Sequence, residues 1–501
     1  MRARVERHQQ VAVKRHQQAA AFVFLALVLL GPVAAARAAE PSTPADPRAM
    51  TFPTVSFSPP KAKRMVLPNG LILYLLEDHE LPLVTLSAMI RTGSLYEPAN
   101  KIGLAALTGT VMRTGGTASL GGDALDDELE FVGAEMGSGI GTDAGSASLN
   151  VLKKDLARGV ALFADMLIRP AFAPDKVDLA KKQVIEGIRR RNDHPASIAS
   201  REFNKLLYGA DHPYARESTE ATINAITRND LVAFHRRYYH PNGTMIAATG
   251  DFDRDDLVKQ LIRAFGPWKP EKVTYPAVPP VKDPPAPSVN AIQRDVTQTQ
   301  VRMGHLGIKQ ADPDYFALSL LDDILGGQAF SSRLFREVRT KAGLAYSVGS
   351  AVIPGNLDRG SFFLYAQTKA GSTAQAISAM KAEMEGIVAA PVPGRELEEA
   401  KQAFLNSFVF SFSSSAQIVN RQMSLEYYRL PADFLERFRA NVEKVTTKDL
   451  ARVARTHLHP DRLIILAVGD ERAFDKPLST FGPVRTITLD QPAAALQPAA
   501  R

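Results

Sequence analysis

One stretch of 26 residues occurs twice. Residues 226–251, ITRNDLVAFHRRYYHPNGTMIAATGD, align without a gap on residues 445–470, VTTKDLARVARTHLHPDRLIILAVGD, at a constant offset of 219, and ten of the 26 pairs are identical. Agreement of that length at one fixed spacing marks a duplicated domain. The shared residues also describe the local structure of each copy. Thr227 and Thr446 cap a helix that carries Asp230 or Asp449 in its first turn, His240-Pro241 and His459-Pro460 end it, and an apolar strand then runs into Gly-Asp.

The rest of the chain divides around this repeat. WKPEKVTYPAVPPVKDPPAP places seven prolines within residues 270–287; proline fixes φ and removes a ladder donor, so residues 270–288 read as an extended linker between domains at 62–269 and 289–485. Pro68-Asn69-Gly70 separates two β-rich runs, the signature of a hairpin. Long amphipathic segments such as DKVDLAKKQVIEGIRRRND and GRELEEAKQAFLNSFVFSFS alternate with short strands such as LVTLSAMIRTG and GSFFLYAQT. The mixture predicts an α+β fold, each domain a mainly antiparallel sheet packed with helices. After about Arg485 the tail, residues 486–501, is expected to be loosely ordered.

The N-terminus has another character. Arg2, Arg4, Arg7, Lys14 and Arg15 precede the apolar run AAAFVFLALVLLGPVAAA, and Ala36-Arg37-Ala38 has the small-x-small pattern of a cleavage site. Residues 1–38 therefore read as a secretory signal peptide, with an uncleaved anchor as the alternative, and residues 39–61 as an extended polar arm. An exported, periplasmic location is expected, with no stable membrane span after cleavage. Without residues 1–38, which hold six Lys/Arg and one acid, the formal charge falls from +7 to +2. The basic balance resides mostly in the leader, which removes the main support for nucleic-acid binding. The chain has no cysteine, so sizeable cores and not disulfides must hold the exported fold.

Common catalytic signatures are missing. GSGIGTDAG is followed by the strand-like SASLNVL, whereas a dinucleotide loop must open a helix, and GNLDRGS lacks the lysine of a phosphate loop. There is no Gly-x-Ser-x-Gly, and thiol nucleophiles are excluded. The ten histidines include no pair four apart with a glutamate between; His79, His457 and His459 are expected in solvated or capping roles.

PNGLILYLLEDHELPLVTLSAMIRTGSLYEPANKIGLAAL resembles the opening of the pitrilysin/insulinase-like zinc peptidases, and LGGQAFSSRLFREVRTKAGLAYSVGS resembles their second-half signature. The likeness runs from about residue 62 to 485, duplication included, and implies that the two domains form half of a clamshell. The family places His-x-x-Glu-His on the helix after Ile102-Gly103-Leu104-Ala105, two imidazoles for zinc and a glutamate to polarise the bound water. Here those positions hold Ala106, Gly109 and Thr110, and the best match to the third ligand, a later glutamate, is Gly187, with Glu186 adjacent. Zinc needs three protein donors, so no metal and no catalytic residue is expected in this chain alone. Arg339 and Tyr346 match the family's substrate-binding pair, which implies a hydrogen bond from Arg339 to a peptide carbonyl or carboxylate, and phenol donation by Tyr346 to the carbonyl oxygen as charge develops. By this resemblance the chain is the zinc-free subunit of a heteromeric metallopeptidase, its partner carrying the zinc, its substrate a peptide or unfolded protein bound along the edge SGIGTDAGSASLN. A scaffold or peptide-holding protein without a protease partner is the alternative.

Overall fold

The computed structural model describes residues 59–490 except 283, 284 and 411, so the leader expected at 1–38 and nearly all of the arm at 39–61 lie outside the described residues. Two six-stranded sheets carry the fold. In the first, β1 (Lys63–Val66) and β2 (Ile72–Glu77) form the antiparallel hairpin around Pro68-Asn69-Gly70, whose glycine takes φ 86°. β3 (Leu83–Ile90), β4 (Glu135–Ile140), β5 (Gly145–Leu152) and β6 (Thr244–Gly250) complete the order β1-β2-β6-β3-β5-β4, with β2 and β6 parallel. The second contains β7 (Ser288–Gln293), β8 (Gln298–Leu306), β9 (Ala345–Ile353), β10 (Ser361–Lys369), β11 (Ile464–Gly469) and β12 (Val484–Thr486) in the order β12-β7-β11-β8-β10-β9. Five strands of each sheet follow one topology. The sixth differs: β1 precedes its neighbour and runs antiparallel to it, whereas β12 comes from the far end of the chain and runs parallel to β7.

β3 alternates half-buried and buried residues along its length, so Val84, Leu86, Ala88 and Ile90 share one face. That face packs on helix α1 (Leu104–Thr114) through Leu104, Leu107 and Val111. Helices α2 (Pro174–Arg190), α3 (Pro195–Tyr208) and α4 (Arg228–Tyr238) follow in the first half. In the second, α5 (Tyr315–Asp322) takes the place of α1 after β8, and α6 (Ser415–Tyr427) and α7 (Thr447–His457) follow later.

The repeated threonines act alike. Thr227 Oγ1 accepts from Asp230 N at 3.3 Å while Asp230 accepts from Thr227 N at 2.8 Å, and Thr446 and Asp449 do the same at 3.2 and 2.9 Å. Each reciprocal pair satisfies two backbone donors that the helix leaves free. Thr446→Ala is expected to cost about 1 kcal/mol, measured by urea unfolding, with Thr227→Ala costing the same.

The duplication has a second structural expression. α3 and α6 end at Tyr208 and Tyr427, again 219 apart, and each lies on the sheet of the other half. Ile198, Phe203 and Leu207 of α3 pack with Ile464, Leu466 and Val468 of β11, and Val419 and Met423 of α6 pack with Tyr74 and Ala247 of the first sheet. Polar contacts fix the exchange: Arg64 donates to both oxygens of Glu426 at 2.7 and 2.8 Å, Tyr74 Oη donates to the same carboxylate, and Ser415 Oγ donates to Asp78 at 2.5 Å. Each sheet is thus covered by its own helices on one face and by a borrowed helix on the other. All six residues of β11 are buried, and its run of apolar residues replaces the alternation of a one-sided strand.

Two sequence expectations change. The chain beyond Arg485 is not loose where it is described: Ile487 N donates to Ala291 O at 2.8 Å, and Ile487 and Leu489 pack beside the α3 cluster. The proline-rich connection ends one residue earlier than expected, since Ser288 begins β7; its described residues up to 287 have no helix or strand yet lie tied down, with Glu271 O accepting from Asn242, Pro279 O from His212, and Val281 N donating to Asp358. Among the described residues no helix is long and apolar enough to cross a membrane.

Candidate functional site

The N-terminus of α1 is held by a buried acid. Glu97 Oε1 accepts from Ala105 N at 2.6 Å and from Gly103 N at 3.2 Å, and burial pushes its carboxyl up against the downward pull of those two donors. One turn apart on the exposed face of α1 stand Ala106 and Thr110. Gly109 points the other way, into the edge strand β4. A Cβ there would lie 2.5 Å from Ile140 N and 2.7 Å from Gly139 C. Ser138 Oγ donates to Gly109 O at 2.5 Å and Arg113 Nε to Met136 O at 3.0 Å, which fastens the helix to the strand at this spacing. Gly187 stands exposed on α2 with nothing within 4 Å of an added Cβ, and Glu186 beside it is exposed as well.

These residues do not fit zinc. Ala106, Gly109 and Gly187 have no donor side chain, and Thr110 offers a neutral hydroxyl where the chemistry asks for imidazole or carboxylate. Among the described residues, one set of three such ligand atoms converges, Asp312, Asp314 and His457, and it lies in the other half. Arg452 already holds both oxygens of Asp314 at 2.9 and 2.6 Å, with His457 Nε2 at 2.7 Å. The guanidinium stands as the counter-cation and, chiefly through its hydrogen bonds, pulls the Asp314 carboxyl down to about 2. His457 is therefore a hydrogen-bond partner of Asp314, not a solvated or capping residue. His79 is exposed but also paired, its Nδ1 2.6 Å from Asp251. His459 is half-buried, its ring 5.1 Å from that of His305.

Arg339 and Tyr346 come together. Arg339 lies in a π-helical segment, Phe335–Lys341, anchored by the buried Leu334 and Val338 and closed by Gly343 at φ 64°, where Leu344 N donates back to Val338 O at 3.0 Å. The guanidinium carbon lies 4.6 Å from the Phe335 ring centroid and 5.3 Å from that of Tyr346, and no carboxylate pairs with it among the described residues. Stacking of this kind restrains an arginine while leaving its in-plane N–H groups for a carbonyl or carboxylate. Tyr346 is the extra residue of a β-bulge. Gln367 of β10 pairs with Ser347 and Thr368 with Ala345, so Tyr346 is skipped, and its side chain is 72 % exposed. Bulges re-aim side chains at sheet edges in this way.

Phe330, which the sequence reading did not single out, extends the stack. It is 77 % exposed, takes φ 70°, and sets its ring 4.9 Å from Phe335. No motif signals it, because the left-handed backbone and the exposure both arise from the fold of the loop.

Both half-sheets present an edge here, β4 in the first and β9 in the second. Of the expected edge SGIGTDAGSASLN, residues 138–140 lie in β4, whereas 145–150 belong to β5, an interior strand between β3 and β4. Gly141 N donates to Ala144 O at 2.9 Å, so antiparallel alternation turns the backbone groups of Met136, Ser138 and Ile140 away from β5. On the outer face, Gly137, Gly139, Ser146 and Ser148 floor a cleft of about 460 Å³ walled by Asn420 and Met423 of α6.

The described geometry can be set beside known proteins. The family model for insulinase (peptidase family M16) matches residues 73–212, and the model for the peptidase M16 inactive domain matches residues 225–404. This chain belongs to the insulinase-like M16 family. Among its M16 relatives, an uncharacterized zinc protease of Mycobacterium bovis is 29 % identical over 82 % of this chain and 92 % of its own. A non-peptidase homolog of Helicobacter pylori is 23 % identical over 79 % of this chain and 91 % of its own. The crystal structure of a peptidase M16 inactive domain from Pseudomonas fluorescens superposes with a TM-score of 0.75 at 29 % identity, covering 83 % of this chain and 99 % of that one. Two sheet-plus-helix domains are thus the M16 arrangement.

Proposed function

We propose that this M16 chain is an exported, non-catalytic subunit of a heteromeric zinc peptidase, which supplies Arg339, Tyr346 and half of a peptide-enclosing cavity to a zinc-bearing homologue. One contrast carries the reading. The metal face has lost its donors and Gly109 is closed against β4, while Arg339 and Tyr346 remain stacked, unpaired and turned outward. A site that had decayed as a whole would not keep one half so specifically presented. The M16 relatives described as zinc proteases and as a non-peptidase homolog support a family with both kinds of chain. Substrate would pair as an added strand along the edge of β4, beyond the Met136 carbonyl that Arg113 already holds, and the N-terminal leader would place the complex in the periplasm.

The test is to express the chain alone and with a zinc-bearing M16 homologue from the same organism, then measure zinc and peptide cleavage. The expected result is zinc and cleavage in the mixture and neither in this chain alone. Tyr346→Phe should lower kcat of the mixture by about 10²–10³, the loss typical of one oxyanion donor, and Arg339→Ala should chiefly raise KM. Chelator-sensitive cleavage by this chain alone would overturn the proposal. Peptide binding that is indifferent to both substitutions would favour the scaffold reading.

A further inference from the structure

Where the end of α6 meets the first sheet, the two halves line an open-mouthed cavity of about 370 Å³, within the size range of small-molecule sites and at a domain junction, where such sites concentrate. Ile72, Met245 and Leu357 give it apolar walls, and Tyr96 and Tyr428 give it aromatic ones. Its acids are already engaged. Glu426 is held by Arg64 and Tyr74, and Asp143 accepts from Tyr428 Oη at 3.1 Å and from Asn356 Nδ2 at 3.2 Å. Its two guanidiniums have no carboxylate partner among the described residues. Arg91 lies 4.4 Å over the Tyr275 ring, a contact that leaves its charge uncompensated.

Arg429 is the more telling of the two. It follows α6 at the left-handed position of a helix-ending motif, with φ 56°, Leu430 N donating to Leu425 O at 2.8 Å and Arg429 N to Glu426 O at 3.1 Å. Glycine fills that position without strain and an arginine does not. The side chain is exposed and lines both this cavity and its neighbour beside Arg64, Tyr74 and Glu436. With Glu426 matched by Arg64, the remaining charged residues that line the cavity are Arg91 and Arg429 against Asp143, an excess of one positive charge. A monoanion fits that excess, and a doubly charged phosphate would meet Asp143.

We propose that this junction cavity binds a small carboxylate with an apolar or aromatic body, gripped by Arg91 and Arg429 at its open side and seated between both halves of the chain. Such a group could be a free carboxylic acid or the C-terminus of a peptide.

The full chain would be titrated calorimetrically with 3-phenylpropionate and with its neutral twin 3-phenylpropanamide. A second pair, N-acetyl-Ala-Ala-Phe as free acid and as amide, distinguishes peptide ends from free acids by whichever acid binds more tightly. At least one acid is expected to bind saturably, about tenfold or more tighter than its amide and than inorganic phosphate. Arg91→Gln and Arg429→Gly should each weaken it by about tenfold or more, a loss of roughly 1.4 kcal/mol or more. Arg429→Gly should also leave Tm equal or raised, since glycine relaxes the left-handed turn; if instead that variant unfolds early, Arg91→Gln alone decides. Equal binding of acid and amide, undiminished binding by Arg91→Gln, or no saturable binding of either acid would overturn the proposal.

Discussion

Gly109→Ala is expected to destabilise the protein by about 1–3 kcal/mol, and Gly109→Glu by about 3 kcal/mol or more, in urea unfolding. The sign for alanine is the informative part. In a helix interior Gly→Ala ordinarily stabilises by about 0.5–1 kcal/mol, because glycine loses more backbone freedom on folding. Here the added carbon would meet backbone atoms of Gly139 and Ile140, and a β-strand fixed in its ladder cannot swing aside as a flexible side chain could. Gly187→Ala supplies the control: its Cβ meets nothing within 4 Å, so it should stabilise by the ordinary amount. Ala106→His with Thr110→His, both on the exposed face of α1, should change stability by less than about 1 kcal/mol. If Gly109→Ala behaved like Gly187→Ala, the helix and strand would not be closed on one another. The expected pattern has an evolutionary meaning. On the proposed reading, ligands at 106, 110 and 187 could be regained by substitution, whereas a glutamate at 109 is barred by packing, so metal-dependent chemistry would not be one step from return.

The architecture was legible where it rested on covalent neighbours and repeated spacing. Thr227 and Thr446 declared their helices because a cap and its acid lie three residues apart in the chain, and Pro-Asn-Gly declared the first hairpin for a similar reason. The exchange of α3 and α6 was not legible. Both are amphipathic helices that could lie on either sheet, and only packing decides that Phe203 faces Phe363 and Met423 faces Ala247. At the candidate site, that 106, 109, 110 and 187 hold Ala, Gly, Thr and Gly is legible directly, since residue identity is a local fact. That Tyr346 sits in a bulge, that Phe330 extends the Arg339 stack, and that Gly109 is sealed by β4 depend on residues distant in sequence or on backbone geometry with no compositional mark. The order of residues 486–490 escaped notice on the same ground, because the partners of Ile487 and Leu489 lie far back in the chain; the rest of the tail lies outside the described residues.

Asp322→Asn is expected to raise stability at pH 8 relative to pH 4 by on the order of 2–3 kcal/mol compared with the unsubstituted chain. Asp322 ends α5, beneath the loop that carries Phe330. Its carboxyl accepts from Ser350 Oγ at 2.5 Å and from Val352 N at 3.1 Å, yet burial pushes it up to about 6, and burial does the same to Asp323. A carboxyl whose folded pKa lies above its unfolded value gives stability that is full below about 4 and is lost as pH rises through about 6. Two buried histidines work in the opposite sense. His235 donates to Leu167 O, His305 pairs with Leu306 O and accepts from His459 N, and desolvation lowers both to about 4. Their stability is full above about 6.5 and is lost as pH falls through about 4. Over the shared window the two pairs offset each other, so the unsubstituted chain should show a shallow profile between about pH 4 and 6.5. Asparagine keeps an acceptor for Val352 N and can donate to Ser350, which removes the ionisation while keeping the contacts. Without Asp322 the histidines dominate, and stability should fall steeply on acidification. Urea unfolding of both proteins at pH 4, 6 and 8 measures it; a difference that stays constant across the three would mean that Asp322 does not titrate in this window.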